Sequence, residues 1–293
     1  METKLRGLGT AMITPFDEEG NIDFDILESL VEYQIGSGTD FLVILGTTAE
    51  TPSLQPEEET ELIGAVAEMV HERIPIVVGV GGNGTCRVER ALKHLKTSGI
   101  DAILSVCPYY NKPGQEGLFR HFRAISEASP LPVLLYNVPA RTAVNMLPET
   151  TLRLARECPN IIGIKEASGI VSQIDMIIKQ RPKGFLVFSG DDTIAYPLVA
   201  MGADGVVSVI GNAFPDRFGF MIHEAMEGRL TDVLPIHHMF KDLYPLLFKE
   251  GNPSGIKCVM GAKKMISENM RLPLVPVSEE LRAEICRVLE TIH

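Results

Sequence analysis

No stretch of the 293 residues approaches the roughly 18 consecutive apolar residues that a membrane-spanning helix requires. The opening Met1-Glu2-Thr3-Lys4 puts charge where a secretory signal needs an apolar stretch, so a cytoplasmic protein with no membrane partner is expected. Cysteine is scarce: Cys86, Cys107, Cys158, Cys258 and Cys286 lie far apart, form no C-x-x-C pair and have no histidine at zinc-finger spacing. Neither a disulfide framework nor a metal site is signalled, and reduced thiols are the default. Positive charge is in deficit, with 27 Lys+Arg against 38 Asp+Glu and a formal charge of −11. An acidic balance repels phosphate backbones and no basic stripe offsets it, which argues against nucleic acid as a partner. Any anionic substrate must then be met by a few placed cations. Hydrophobic residues make up 45% and charged residues 22%, close to the globular average, so disordered and collagen-like chains are excluded.

Short, nearly continuous apolar runs recur at 8–13, 41–45, 76–80, 102–107, 133–138, 161–164, 185–188 and 205–210. They are rich in Val and Ile and lack strict polar alternation, as expected of parallel strands covered on both faces. Between them lie stretches of helical period, such as 24–35, 56–73, 88–98, 117–128, 148–157 and 170–180. Eight strand-helix units in sequence predict an α/β fold, a (β/α)8 TIM barrel, which typically takes about 250 residues. A doubly wound open sheet also alternates strand and helix and is the competing topology. After the eighth run, 215–227, 231–249, 255–267 and 278–292 read as further helices, with breaks at Asn252-Pro253 and from Pro273 to Pro276. The expected organisation is a catalytic barrel over 1–225 and a C-terminal helical appendage over 226–293. Gly79-x-Gly81-Gly82-x-Gly84 departs from the G-x-G-x-x-G of dinucleotide loops and reads as a tight barrel turn.

Barrel chemistry sits where strands end, so the polar residues that close the apolar runs are the candidates. Lys165 closes Ile161-Ile162-Gly163-Ile164. Burial disfavours a charged ammonium, and the free amine is what condenses with a ketone to form a Schiff base. The bland alternative is a structural lysine paired with Glu166, but strand alternation puts those neighbours on opposite faces. Tyr136 ends the fifth run and could relay protons to and from Lys165, or serve as a core tyrosine with a satisfied hydroxyl. Arg141 follows in the loop, where it could grip a carboxylate through two parallel hydrogen bonds or simply be exposed. Thr47 and Thr48, in Gly46-Thr47-Thr48-Ala49-Glu50, combine hydroxyls and backbone N–H groups in a turn suited to a carboxylate, although Thr-rich turns are common. Tyr109 and Tyr110 occupy a loop with no evident core to fill, as active-site hydroxyls, interface anchors or plain exposed tyrosines.

Taken together, Gly46-Thr47-Thr48-x-Glu50, Tyr109-Tyr110-Asn111, Tyr136-Asn137-x-Pro139-x-Arg141-Thr142, Gly163-x-Lys165-Glu166 and Gly190-Asp191-Asp192 resemble, in order and strand position, the class I pyruvate-dependent lyases. That group includes the dihydrodipicolinate synthases and the N-acetylneuraminate lyases, and the resemblance is nearer to the synthases. It runs from Gly7 to about Lys264. The resemblance implies that Lys165 forms the Schiff base with pyruvate, and that Tyr136, Thr47 and Tyr110 form a proton relay, with Tyr110 supplied across a subunit interface. It further implies that Thr48 and the Thr47 backbone hold the pyruvate carboxylate, Arg141 holds the carboxylate of L-aspartate 4-semialdehyde, and the Val207 carbonyl faces the site. No metal or organic cofactor is implied, and the assembly would be a homotetramer of two tight dimers. The product would be 4-hydroxy-tetrahydrodipicolinate, on the diaminopimelate route to lysine. Ala49 departs from the glycine of many members and raises a question about the turn's geometry.

Two rivals remain at this level. One is a pyruvate-dependent aldolase of a sugar acid such as N-acetylneuraminate or 2-keto-3-deoxygluconate, against which Arg141 and Thr47-Thr48 weigh. The other is a non-catalytic small-molecule sensor, against which the intact Lys165, Tyr136 and Thr47 weigh. Members inhibited by lysine bind it near the positions that here are Thr51, Pro56, Glu59, Asn83, Arg87 and Tyr109. Arg87 stands where those members resemble one another in having an acid, so weak or absent lysine inhibition is expected.

Overall fold

The computed structural model describes residues 5–292. Eight parallel strands pair in chain order: β1 (Gly7–Ala11), β2 (Phe41–Ile44), β3 (Ile76–Gly79), β4 (Ala102–Val106), β5 (Val133–Asn137), β6 (Ile161–Glu166), β7 (Leu186–Ser189) and β8 (Gly205–Ser208). β8 returns to β1 through Gly7↔Gly205 to Thr10↔Ser208, which closes the barrel and rules out the open sheet. Each expected apolar run coincides with one strand to within one or two residues at either end. The runs are continuous because alternate residues bury into different cores. Phe41, Val43, Leu104, Leu134, Phe188 and Val207 fill the barrel interior, whereas Leu42, Ile44, Ile103, Leu135, Val187 and Val206 pack outward against helices.

The outer ring consists of α1 (Phe24–Gly36), α2 (Pro56–Val70), α3 (Thr85–His94), α4 (Gln115–Ala128), the single turn α5 (Pro139–Thr142), α6 (Pro148–Glu157), α7 (Val171–Gln180), α8 (Asp192–Ala200) and α9 (Pro215–Met226). Their starts carry ordinary helix signals: the Asp23 side chain accepts from Ile26 N, and Pro56 opens α2 behind a Gln55 N–H bonded to Glu58 Oε2 at 2.8 Å. The glycine cluster is a β3–α3 turn, as its spacing suggested. A Cβ on Gly79 would lie 2.0 Å from the Leu45 carbonyl oxygen, and one on Gly81 would lie 2.9 Å from Val106 N, so neighbouring backbones claim that space.

Beyond α9 come α10 (Leu230–Met239), α11 (Ser254–Ala262) and α12 (Glu279–Leu289). The expected helix over 231–249 stops at Met239, and 240–250 is a run of turns. Pro245 has no N–H to give, and the bonds around it mix two spacings: Leu243 N and Leu246 N reach back three residues, while Tyr244 N reaches back four. Phe240, Leu243, Leu247, Ile256 and Val259 from this region join the same apolar core as the outer face of the barrel. Among the described residues no helix is long and apolar enough to cross a membrane.

Candidate active site

At the C-terminal end of β2 the chain turns sharply. Leu45 (φ 53°) and Glu50 (φ 56°) take left-handed backbone on either side of a single 3-10 turn, Thr47–Ala49. Ala49 fits that turn with no left-handed backbone of its own: its N–H bonds the Gly46 carbonyl, and its carbonyl accepts from Thr14 Oγ1 at 2.8 Å. The departure from glycine is therefore accommodated. The Thr51 hydroxyl ties back to the Gly46 carbonyl at 2.9 Å and tightens the loop from the other side.

Lys165 and Tyr136 are register partners on β6 and β5, and both side chains are buried. The Lys165 ammonium nitrogen sits 4.5 Å from the Tyr136 ring centroid. Among the described residues no carboxylate pairs with it. Glu166 points to the other face, where its carboxylate accepts from Asn137 Nδ2 at 3.0 Å, Gln173 Nε2 at 3.1 Å and Ser168 N at 2.7 Å. Burial raises the Glu166 carboxyl above the usual range, and those donors oppose the rise. A structural Lys165–Glu166 pair is thus ruled out by geometry. Gly190 makes room for the lysine, because a Cβ there would lie 2.7 Å from the Ala167 Cβ and 3.1 Å from both Cγ and Cε of Lys165.

A cleft of about 640 Å³ opens at this end of the barrel, lined by Thr47, Tyr136, Val138, Arg141 and Asn252 among others. It continues outward between α2 and α3, past Pro56, Glu59, Ile63 and Leu95. Arg141 is exposed on α5, with its guanidinium 3.4 Å from the Asn252 carbonyl. Val207 faces the interior from β8. Asp192 holds the turn that follows, accepting from Val209 N at 3.0 Å and Ile210 N at 2.8 Å. Burial pushes its carboxyl up to about 6.

Thr47, Tyr136 and Arg141 line one mouth, Lys165 packs against Tyr136, Thr48 bonds Asn252 beside them and Val207 faces the barrel interior, while Tyr110 does not join them. It is 88% exposed, with left-handed backbone (φ 73°), whereas its neighbour Tyr109 lines the cleft.

Residues 4–292 match the model of the dihydrodipicolinate synthetase family. The chain belongs to this family. It is 52% identical over 287 residues to the 4-hydroxy-tetrahydrodipicolinate synthase of Phocaeicola vulgatus, covering 97% of each chain. It is 47% identical over 291 residues to that of Porphyromonas gingivalis, covering 99% of this chain and 98% of the other. Among solved structures, dihydrodipicolinate synthase from Thermotoga maritima superposes with a TM-score of 0.95 at 38% identity, over 98% of both chains. A chloride-inhibited dihydrodipicolinate synthase from Acinetobacter baumannii, complexed with pyruvate, does so with a TM-score of 0.95 at 39% identity, again over 98% of both.

Within this dihydrodipicolinate synthetase fold, one contributor to the mouth escaped the reading of the sequence. Asn252, there only a helix break, is buried; its Nδ2 donates to Thr48 Oγ1 at 3.0 Å while its carbonyl meets Arg141. The available signal was a polar Asn-Pro-Ser-Gly step leading into the apolar run of α11.

Proposed function

We propose that the protein condenses pyruvate with L-aspartate 4-semialdehyde to give 4-hydroxy-tetrahydrodipicolinate, in the cytoplasm and on the diaminopimelate route to lysine. The observation that carries this reading is the buried Lys165 amine, without a carboxylate partner among the described residues, packed against Tyr136, which lines a cleft together with Thr47 and Arg141.

In this reading the Lys165 amine adds to the pyruvate ketone carbon and water leaves, giving an imine. The electron-withdrawing iminium acidifies the adjacent methyl group, and loss of one proton yields an enamine. Tyr136 and Thr47 carry protons to and from these intermediates, with Tyr110 of the partner subunit completing the relay. The enamine carbon attacks the aldehyde of the second substrate. That substrate's amine then adds to the imine carbon and displaces Lys165, closing the ring and regenerating the free lysine. Thr48 and the Thr47 backbone hold the pyruvate carboxylate, Arg141 holds that of the semialdehyde, and the Val207 carbonyl faces the reacting atoms. Nitrogen, protons and water balance within these steps, and none draws on a metal or organic cofactor.

The exposure of Tyr110 supports an assembly in which this side chain enters a neighbour's cleft, in a homotetramer built as a dimer of dimers. Mixing tests it. Tyr110→Phe and Lys165→Ala chains are each expected to be nearly inactive alone, and refolding them together should restore turnover, because a Tyr110→Phe chain keeps its lysine and borrows an intact tyrosine. Absence of recovery in mixed assemblies contradicts the exchange.

The function itself is tested by assaying pyruvate with aspartate semialdehyde beside N-acetylneuraminate and 2-keto-3-deoxygluconate cleavage. Turnover confined to the first pair supports the reading. Comparable kcat/KM on a sugar acid overturns it in favour of the aldolase.

A further inference from the structure

Glu50 and Lys257 form an ion pair with Nζ–Oε1 2.5 Å and side chains 0% and 1% exposed, respectively. Replacing such a buried pair with apolar groups of similar volume is often neutral or stabilising, so stability alone supplies no reason for it. Its place in the fold supplies one. Glu50 directly follows the Thr47–Ala49 turn, and its N–H closes that turn onto the Thr47 carbonyl at 3.4 Å. Its left-handed backbone (φ 56°, ψ 30°) is unfavourable for a residue with a Cβ and must be held by its surroundings. The hold comes from the far end of the chain: Lys257 on α11 takes one carboxylate oxygen, and Arg271 N donates to the other at 3.2 Å. Lys257 is fixed in turn by the Asn269 carbonyl at 2.9 Å and by the Phe16 ring, whose centroid is 4.6 Å away.

We propose that Lys257 is a positioning residue: through Glu50 it sets the Thr47–Ala49 turn, and thereby aims the Thr47 hydroxyl and backbone N–H at pyruvate. This rests on the function proposed above. The C-terminal region would then be part of the active-site machinery, with an appendage residue governing a barrel turn 207 positions earlier.

The double variant Glu50→Gln/Lys257→Met removes both charges and nearly preserves shape. It is expected to unfold cooperatively close to the wild-type temperature, and at saturating pyruvate borohydride should still trap one pyruvate per chain on the untouched Lys165. Its kcat should fall about tenfold to a hundredfold, with a raised KM for pyruvate and an unchanged KM for the semialdehyde, as displacement of a positioning group by about 1 Å implies. Wild-type kcat and pyruvate KM in the folded variant would overturn the proposal, as would equal losses for both substrates. If the double variant does not fold, Glu50→Asp, which keeps the charge but shortens the arm, is read by the same split with the same criteria. Failure of wild-type enzyme to trap pyruvate would instead remove the underlying function and not this inference alone.

Discussion

The two ends of the barrel handle polar groups in opposite ways. At the foot, Asp40, Asp101 and Asp204 each precede a strand and accept a backbone N–H near the start of another: Leu8 at 2.7 Å, Ile76 at 2.9 Å and Val187 at 2.9 Å. Two of these carboxylates are paired again, Asp40 with His223 at 2.6 Å and Asp204 with Arg181. At the mouth, the Lys165 amine and the hydroxyls of Thr47 and Tyr136 make no side-chain hydrogen bond among the described residues. There the bonding partners go to the supports behind them, to Thr48, Glu50, Glu166 and Asp192. The foot uses its polar groups to satisfy the chain, while the mouth leaves the side-chain atoms of Lys165, Thr47 and Tyr136 without such bonds among the described residues and fixes their surroundings. Stability and chemistry are thereby separated along the barrel axis.

Substitutions at the two ends should therefore fail in different currencies. Lys165→Ala is expected to lower turnover by about a thousandfold or more while leaving the unfolding temperature nearly unchanged, measured by coupled assay and calorimetry. Loss of fold in place of loss of rate would break the contrast. Arg141→Ala should raise KM for the semialdehyde about ten to a hundredfold and spare KM for pyruvate, since a charge-assisted bidentate contact is worth roughly 1.5 to 3 kcal/mol. Equal weakening for both substrates would contradict that role.

At the foot, Asp101→Ala leaves the Ile76 N–H without its partner and should cost about 1 to 2 kcal/mol in denaturant unfolding, with kcat unchanged. A fall in kcat to match would show that the ends are not separable. A smaller effect is expected at His223. Its imidazole is raised above the usual histidine range by the hydrogen bond to Asp40, with burial opposing. A raised folded value means that the stabilisation is complete below the ordinary pKa of about 6.5 and disappears as pH rises through the folded value. The pair is partly exposed, so the loss should be a few tenths of a kcal/mol, absent in His223→Gln. Smallest of all is the response to lysine. Glu59 lines the cleft with a carboxyl raised by burial, and the exposed Arg87 guanidinium of α3 would repel a ligand's ammonium, so half-inhibition is expected only above about 0.1 mM, the affinity scale of roughly −5.5 kcal/mol. Tighter inhibition would mean that Glu59 takes over the ammonium.

The barrel was legible because strands covered on both faces produce continuous apolar runs, and Lys165 was legible because it interrupts one of them. Alternation alone placed Glu166 on the opposite face, which the Asn137 and Gln173 contacts bear out. What local pattern does not carry is contact across distant sequence. Asn252 meets Thr48 across 204 positions and Lys257 meets Glu50 across 207, and nothing in the period of α11 announces either. The end of α10 was missed because helical periodicity continues through Pro245 in the sequence although the backbone bonding does not. The exposure of Tyr110 was one of the readings its loop left open, whereas its left-handed backbone (φ 73°) is a conformation that a tyrosine does not advertise.

Everything proposed for the barrel mouth turns on the chemistry of one amine. Borohydride reduction in the presence of pyruvate, followed by intact-mass measurement and peptide mapping, should find one reduced pyruvate per chain, attached at Lys165. No adduct, or an adduct on any other residue, would contradict the claim that the unpaired lysine at the barrel mouth is the nucleophile.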